Sequence, residues 1–412
     1  MISRRDFLST VVPAALTGAN PFQRRRLPPI GHASCPALTS SSIAFPQPEA
    51  IGATIQRYIP VAPANLGVAV GMASPSLGSR INCIGSLLDQ QGSPLQFTTD
   101  TPFEIASITK TFVATVYELL SQSGRLGSKT LGQLFGSQLS QQIGNIPLLN
   151  LANYTSGLPA DNQDTQSTGT VPQPFPASYD YNYTTKDILA FLATASFPIT
   201  APGPYTYSNL GFSLLAFALE ASAQSNSFGE LITNELLIPL GMMKTEPWIR
   251  SINAQLPIGY TSTGVHGSLG WQYFPGYYGA GGLVSTPNDL IVWLQFNMGI
   301  IRQGPLSRVL PVVQAQGTTA RSLGWFVTTM TNDEGEKLTV VWKDGDLSGF
   351  SSAMAFLPRN GCAASEAGIF VLVNQNAPSC STGETYATAI AFDLLFTMTG
   401  RKAPSNLACA SQ

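Results

Sequence analysis

The sequence predicts an α+β protein in which one antiparallel sheet is built from both ends of the folded chain and flanked by helices. A mainly helical second lobe fills the middle. Short apolar runs suited to strands lie at the two ends, at Leu66–Ala73 and Ile81–Leu88, then at Leu338–Trp342, Phe350–Leu357 and Ile369–Val373. The long stretch between them alternates helical periodicity with Pro/Gly-rich loops. The composition, 44% hydrophobic and only 11% charged over 412 residues, supports a large core and excludes a disordered chain.

Taken in order, Ile51, Ile55 and Ile59 recur at helical spacing and place the first ordered helix near Glu49. The first two apolar runs, separated by a Ser/Pro/Gly turn, read as a strand pair. The middle carries helices at Ile108–Gln122, Leu210–Ala223, Phe228–Ile238 and Pro287–Asn297. At the far end the segment Asp344–Gly349 reads as a turn between two strands, and Tyr386–Thr399 as a helix stopped at Gly400.

The N-terminus reads as a targeting segment. Arg4-Arg5 precede a modest apolar stretch, Thr10–Gly18, that ends in small residues near Ala19, the layout of a twin-arginine export signal. The expected organisation is an export signal over 1–19, a Pro/Ser-rich linker over 20–48, one domain over 49–400 and a tail over 401–412. An exported chain, periplasmic or secreted, also suits the five cysteines, Cys35, Cys83, Cys362, Cys380 and Cys409, which show no metal-ligand spacing. Cys362 and Cys380 flank the Ile369–Val373 strand, which holds them apart, so Cys362 is expected to pair with Cys409.

Charge and histidine counts exclude several functions. A net charge of −2 leaves no basic footprint for nucleic acid or an anionic membrane, and no apolar run is long enough to span one. The chain has only two histidines, His32 and His266, so a Ser-His-Asp triad or a His-rich metal site has almost nothing to be built from. Nucleophilic chemistry here needs another base.

Three short motifs supply one. Ser107-Ile108-Thr109-Lys110 opens a helix, and positions i and i+3 share a face, so the Lys110 amine reaches the Ser107 hydroxyl. Tyr207-Ser208-Asn209 precedes an apolar helix, and Lys343-Asp344-Gly345 ends a strand. Singly, each is an ordinary element: a capped helix, a helix start, a hairpin turn. Their order and spacing together point to a site.

With them the sequence resembles the penicillin-recognising serine hydrolases of the class C β-lactamase type, which include DD-peptidases and esterases. The family's motifs are S-x-x-K, Y-x-N and K-[TS]-G. Further similar segments are Phe103–Phe112, Tyr154-Thr155-Ser156-Gly157-Leu158-Pro159, Pro239-Leu240-Gly241-Met242 and Ala280–Thr286. The resemblance runs from about residue 50 to 400 and implies a β-lactamase/transpeptidase-like fold. It implies Ser107 as nucleophile, Lys110 and Tyr207 as a shared acid/base unit, and Asn209, Lys343, Asp344 and Gly345 as substrate-binding residues. The backbone N–H groups of Ser107 and Asp346 would form the oxyanion hole. No metal or organic cofactor is implied; the expected partner is a small molecule or a peptidoglycan peptide, and the oligomeric state is left open.

The chemistry fits those residue types independently. A serine hydroxyl needs a neighbour to remove its proton, and without histidine the candidates are a neutral lysine and a tyrosinate. Two lysines converging on one cleft favour both. Which of Lys110 and Tyr207 acts as base is left open.

Two positions depart from the family pattern. Tyr154 stands where the family has histidine, and reads as packing. Asp344 stands where the family has a hydroxyl that helps hold a substrate carboxylate, and either repels such an anion or points away toward Arg359 or Arg321. The retained Lys343 favours acyl-enzyme cleavage of amide bonds in D-amino-acid peptides or β-lactams. The alternatives are a carboxylesterase of the same fold and, in another class, a penicillin-binding sensor or scaffold. His266, in a loop-like stretch, reads as a surface residue.

If the twin-arginine reading holds, replacing Arg4 and Arg5 by lysine will trap the full-length protein in the cytoplasm. Cell fractionation that finds the variant exported as before would remove that reading.

Overall fold

The computed structural model describes residues 43–59, 62–160, 184–194, 199–246, 256–261, 275–314, 322–347, 349–359, 364–376 and 385–407. The paired arginines, both histidines, Arg321, and Cys35, Cys362, Cys380 and Cys409 lie outside the described residues, so the export signal and the expected disulfide do too. Cys83 carries a free thiol.

Six strands make the sheet: β1 (Gly67–Ser74), β2 (Gly78–Gly85), β3 (Phe326–Thr331), β4 (Lys337–Leu347), β5 (Phe350–Phe356) and β6 (Gly368–Val373). They lie in the order β2-β1-β6-β5-β4-β3, and every neighbouring pair is antiparallel. The two chain ends therefore meet at the β1–β6 pair, where Val68 faces Val373 and Met72 faces Ile369. This is the expected sheet, with one edge strand, β3, that the sequence did not reveal.

Among the helices of the described residues are α1 (Pro48–Tyr58), α2 (Thr109–Gln122), α3 (Asn209–Ala223), α4 (Pro287–Met298) and α5 (Tyr386–Met398). The period-two alternation of a strand sorts side chains between two cores. Val68, Val70, Met72, Ile369, Val371 and Val373 join α1 and α5 on one face. Ala69, Ala73, Phe370, Leu372 and Met354 join α4 and the helical lobe on the other. Strands buried on both faces read as continuous apolar runs, which is why the sequence showed them plainly. Asp393 of α5 accepts hydrogen bonds from Arg57 at 2.7 Å and Tyr58 at 3.1 Å, tying the two outer helices together.

In the helical lobe α2 is buried along nearly its whole length and α3 is apolar almost all round. Phe112 of α2 stacks on Trp293 of α4 with ring centroids 3.8 Å apart, which joins the lobe to the helix lying against the sheet. Ser208 caps α3 by accepting from the Gly211 N–H at 2.8 Å.

Three expected elements come out differently. Most of the segment expected as a turn is strand: β4 continues through Asp344 to Leu347, with Asp344 opposite Ala353 and Leu347 opposite Phe350. A polar Lys-Asp-Gly-Asp run looks like a loop, but here it lines a cleft, so its polarity reflects where it faces. The helix expected from Ile108 starts earlier as a 3₁₀ turn, Ala106–Ile108, that runs into α2. The helix expected over Phe228–Ile238 is interrupted by a π-helical stretch, Thr233–Leu237, between two short α pieces. Beyond the expected domain limits, Phe45 is buried and the Ala44 N–H bonds the Met398 carbonyl at 3.1 Å; Leu407 is buried as well.

Candidate active site

The residues of the three motifs meet where β4 passes the N-terminal end of α2. Ser107 lies in the middle of the 3₁₀ turn, and Ala106 before it adopts φ = 47°, a left-handed conformation that a residue with a Cβ holds only under constraint. That turn is clamped from both sides. Ser352 of β5 donates to the Ile105 carbonyl at 2.9 Å. A Cβ on Gly345 of β4 would lie 2.6 Å from the Ile105 carbonyl oxygen and 2.6 Å from the Ser107 nitrogen. Glycine is thus required at 345 by backbone approach: only a residue without a Cβ lets the strand lie against the Ser107 turn.

Lys110, one turn into the helix, is fully buried. Its ammonium donates to Ser107 Oγ at 2.9 Å, Asn209 Oδ1 at 2.7 Å and the Ala280 carbonyl at 2.6 Å. Three acceptors match the three N–H groups of an ammonium, so the charge is satisfied although it is removed from water. Tyr207 reaches the same serine from the other side, with its hydroxyl 2.6 Å from Ser107 Oγ. The Lys110 and Lys343 ammonium groups lie 4.8 Å and 5.2 Å from the centre of the Tyr207 ring.

Tyr154 packs, as the sequence suggested, and its packing has a target. Its ring stacks on Tyr207 at 5.3 Å with the planes 21° apart. Burial above all, then Tyr207, Tyr205 and Asp344, push its hydroxyl well above the ordinary phenol range. Tyr154 is therefore held as a neutral ring that fixes Tyr207.

Lys343 is buried in the cleft wall, and its ammonium bonds the Asp344 carbonyl oxygen at 2.8 Å and Asp344 Oδ1 at 2.7 Å. The Asp344 side chain lines the cleft and pairs with Lys343, not with Arg359. Asp346, two residues on, also lines the cleft. Its side chain is exposed to the cleft, and among the described residues nothing hydrogen-bonds it. Partial desolvation, then the Asp344 charge, push Asp346 up to about 7, while Lys343 draws it down. The cleft has a volume of about 470 Å³.

Every expected site residue thus lies in one place. Missing from the expectation were the Ala280 carbonyl and the aromatic lining, Tyr205, Phe326 and Trp342. Ala280 stands in the Ala280–Thr286 segment, which carried a signal, but a backbone acceptor has none in its residue type. Phe326 sits on the unrecognised edge strand, opposite Trp342.

The model of the family described as Beta-lactamase matches residues 85–391, and the chain belongs to that family, the penicillin-recognising serine hydrolases. Among curated relatives, Beta-lactamase-like protein 2 of Dictyostelium discoideum is 26% identical over 66% of this chain and 49% of its own length. The D-alanyl-D-alanine-carboxypeptidase/endopeptidase AmpH of Escherichia coli K12 is 26% identical over 56% of this chain and 59% of its own. The chain thus spans about half to three fifths of the length of these relatives. Of solved structures, a beta-lactamase/D-alanine carboxypeptidase from Pseudomonas syringae superposes with a TM-score of 0.65 at 20% identity, covering 86% of this chain and all of that one. The fold is that of the β-lactamases.

Two outcomes test the site. Gly345→Ala will open the seam between β4 and the Ser107 turn, lowering kcat/KM on the order of 10²-fold, the scale set by losing one oxyanion donor. Far-UV circular dichroism will show the fold retained; unchanged turnover would mean that the close approach has no bearing on catalysis. For pH the sign follows from Asp346: its carboxyl is neutral below about 7 and negative above. Activity on a substrate with a free carboxylate will therefore fall between about pH 6 and about pH 8 relative to a neutral substrate, and Asp346→Asn will remove the difference. Identical pH profiles for both substrates in the unaltered protein would exclude Asp346 from the binding face.

Proposed function

We propose that the protein is a serine hydrolase that works through an acyl-enzyme on Ser107 and cleaves amide bonds of D-amino-acid peptides or β-lactams. The observation that carries this reading is the convergence of Tyr207 at 2.6 Å and Lys110 at 2.9 Å on one oxygen, Ser107 Oγ. Lys110, bonded to three acceptors, has the surroundings of an ammonium and no lone pair to offer. Tyr207 is then the base, acting as a phenolate supported by the two nearby ammonium groups.

In this scheme Ser107 Oγ attacks the substrate carbonyl carbon as its proton passes to Tyr207. The tetrahedral oxyanion forms against the Ser107 and Asp346 backbone, where β4 abuts the turn. Tyr207 returns the proton to the leaving atom as its bond to the acyl carbon breaks. Water then attacks the acyl ester while Tyr207 takes one of its protons, and that proton reprotonates Ser107 as the acid product leaves. Asn209, tied to Lys110, orients the substrate amide. Peptide cleavage is supported by the relative named as a D-alanyl-D-alanine-carboxypeptidase/endopeptidase. Ester cleavage is a second reading, favoured because Asp344 already occupies the Lys343 ammonium that would hold a substrate carboxylate. Arg4-Arg5 and the apolar stretch after them support action outside the cytoplasm.

Intact-mass analysis after incubation with a penicillin, a D-Ala-D-Ala peptide and an aryl ester will show an acyl adduct, and its lifetime with each compound separates the readings. Ser107→Ala will carry no adduct. Lys110→Ala and Tyr207→Phe will each slow acylation by about 10²-fold or more, and the double variant will lose far less than the product of the two. Full labelling of Ser107→Ala would show that another nucleophile is in use.

A further inference from the structure

The side of the cleft that receives the leaving group is acidic. Tyr207, in the reading above, protonates the leaving atom, so the leaving group lies against the Tyr207 hydroxyl. The next groups on that side belong to β4. Lys343 sits behind the tyrosine ring, and its ammonium is bonded to Asp344 at 2.7 Å and to the Asp344 carbonyl at 2.8 Å. The lysine side chain is 1% exposed and the Asp344 side chain 25%, so the member of the pair that a ligand meets is the carboxylate. Asp346 presents a second carboxylate to the same cleft, and among the described residues no cation is bonded to it.

The rest of the wall points to the same ligand chemistry. Tyr205, Phe326 and Trp342 line the cleft beside the two carboxylates. Phe326 and Trp342 pack 4.9 Å apart, and Tyr205 meets the Phe326 ring edge-on at 6.5 Å. Aromatic faces attract cations, and this surface already does so: the Lys343 ammonium lies 4.5 Å from the centre of the Phe326 ring. Rings next to unpaired carboxylate oxygens form a surface that welcomes an ammonium or guanidinium and rejects a carboxylate.

We infer that the enzyme prefers substrates whose leaving group carries a positive charge, with Asp344 and Asp346 as the residues that select it and the aromatic wall as the surface it packs on. This rests on the acyl-enzyme reading of Ser107 and adds the substrate class to it. The step itself is unchanged: the bond from the acyl carbon to the leaving atom breaks, that atom takes the proton from Tyr207, and the cation departs with its charge intact.

Three thioesters of N-acetyl-D-alanine test it, differing only in the thiol released. One thiol carries a trimethylammonioethyl group, one the neutral 3,3-dimethylbutyl isostere, and one is mercaptoacetate. Thiol release followed above about pH 7, where Asp346 is ionised, should give kcat/KM in the order cationic, neutral, anionic, with about tenfold or more between the extremes, and raising the salt to roughly 1 M should shrink the range. Asp344→Asn and Asp346→Asn should each reduce the cationic-to-anionic ratio severalfold; using that ratio within each variant cancels any general loss of activity. Equal kcat/KM for the three thioesters, or a preference for mercaptoacetate, overturns the inference and leaves the role of Ser107 standing. Thiol release that persists in Ser107→Ala overturns the reading beneath it, and the inference with it.

Discussion

The site depends on one buried cation. The Lys110 ammonium has no access to water, and a charge so placed is tolerated only when its hydrogen bonds are made within the protein. Its three acceptors come from three separate parts of the chain: the Ser107 turn, the first residue of α3, and the short helix Tyr278–Gly281. Any rearrangement that moved one of these segments away would leave a buried N–H unpaired, a cost of about 1–3 kcal/mol before the charge is counted. The requirement that this cation be satisfied therefore holds the helical lobe in register around Ser107. Asn209 shows the coupling: the same side chain that can orient a substrate also secures the lysine.

Around that anchor, the second shared element is the ring of Tyr207. Tyr154 stacks on it and two ammonium groups lie within 5.2 Å of its ring centre, so packing holds its position and positive charge gathers around it. Histidine, as the family has at position 154, and tyrosine both supply a flat ring. The substitution keeps the stacking surface while adding a hydroxyl whose proton burial retains. Tyr154 and Tyr207 share a residue type and a neighbourhood, yet only Tyr207 reaches the serine.

What could be read in advance followed how each element is buried. Strands β1, β5 and β6 are apolar on both faces and were plain in the sequence, as was the helical face that puts Lys110 over Ser107. Edge strand β3 was not: Val327, Thr328 and Thr329 are exposed, so Phe326–Thr331 carries no continuous apolar signal. The end of β4 was misread for a related reason. Lys343, Asp344 and Asp346 are polar because they line the cleft, and local sequence does not separate a polar strand facing a site from a polar turn facing solvent. The Ala280 carbonyl could not be read at all, since a backbone acceptor is placed only by the fold.

A strand that is polar where it should be buried usually has to give up its polarity or its order. Here β4 keeps both, because its outward neighbour β3 stops at Phe326, opposite Trp342, and leaves Lys343–Leu347 with a strand partner on the β5 side only. The free side of that segment is the cleft wall, where Gly345 meets the Ser107 turn. One lysine in that wall would normally make it attractive to anions. Asp344 supplies an equal and opposite charge 2.7 Å away, and Asp346, once ionised above about pH 7, tips the balance on this strand to negative. In a chain with only 11% charged residues there are few other charges nearby, so the field in the cleft is set by these three neighbours on β4 together with the Lys110 ammonium beside Ser107.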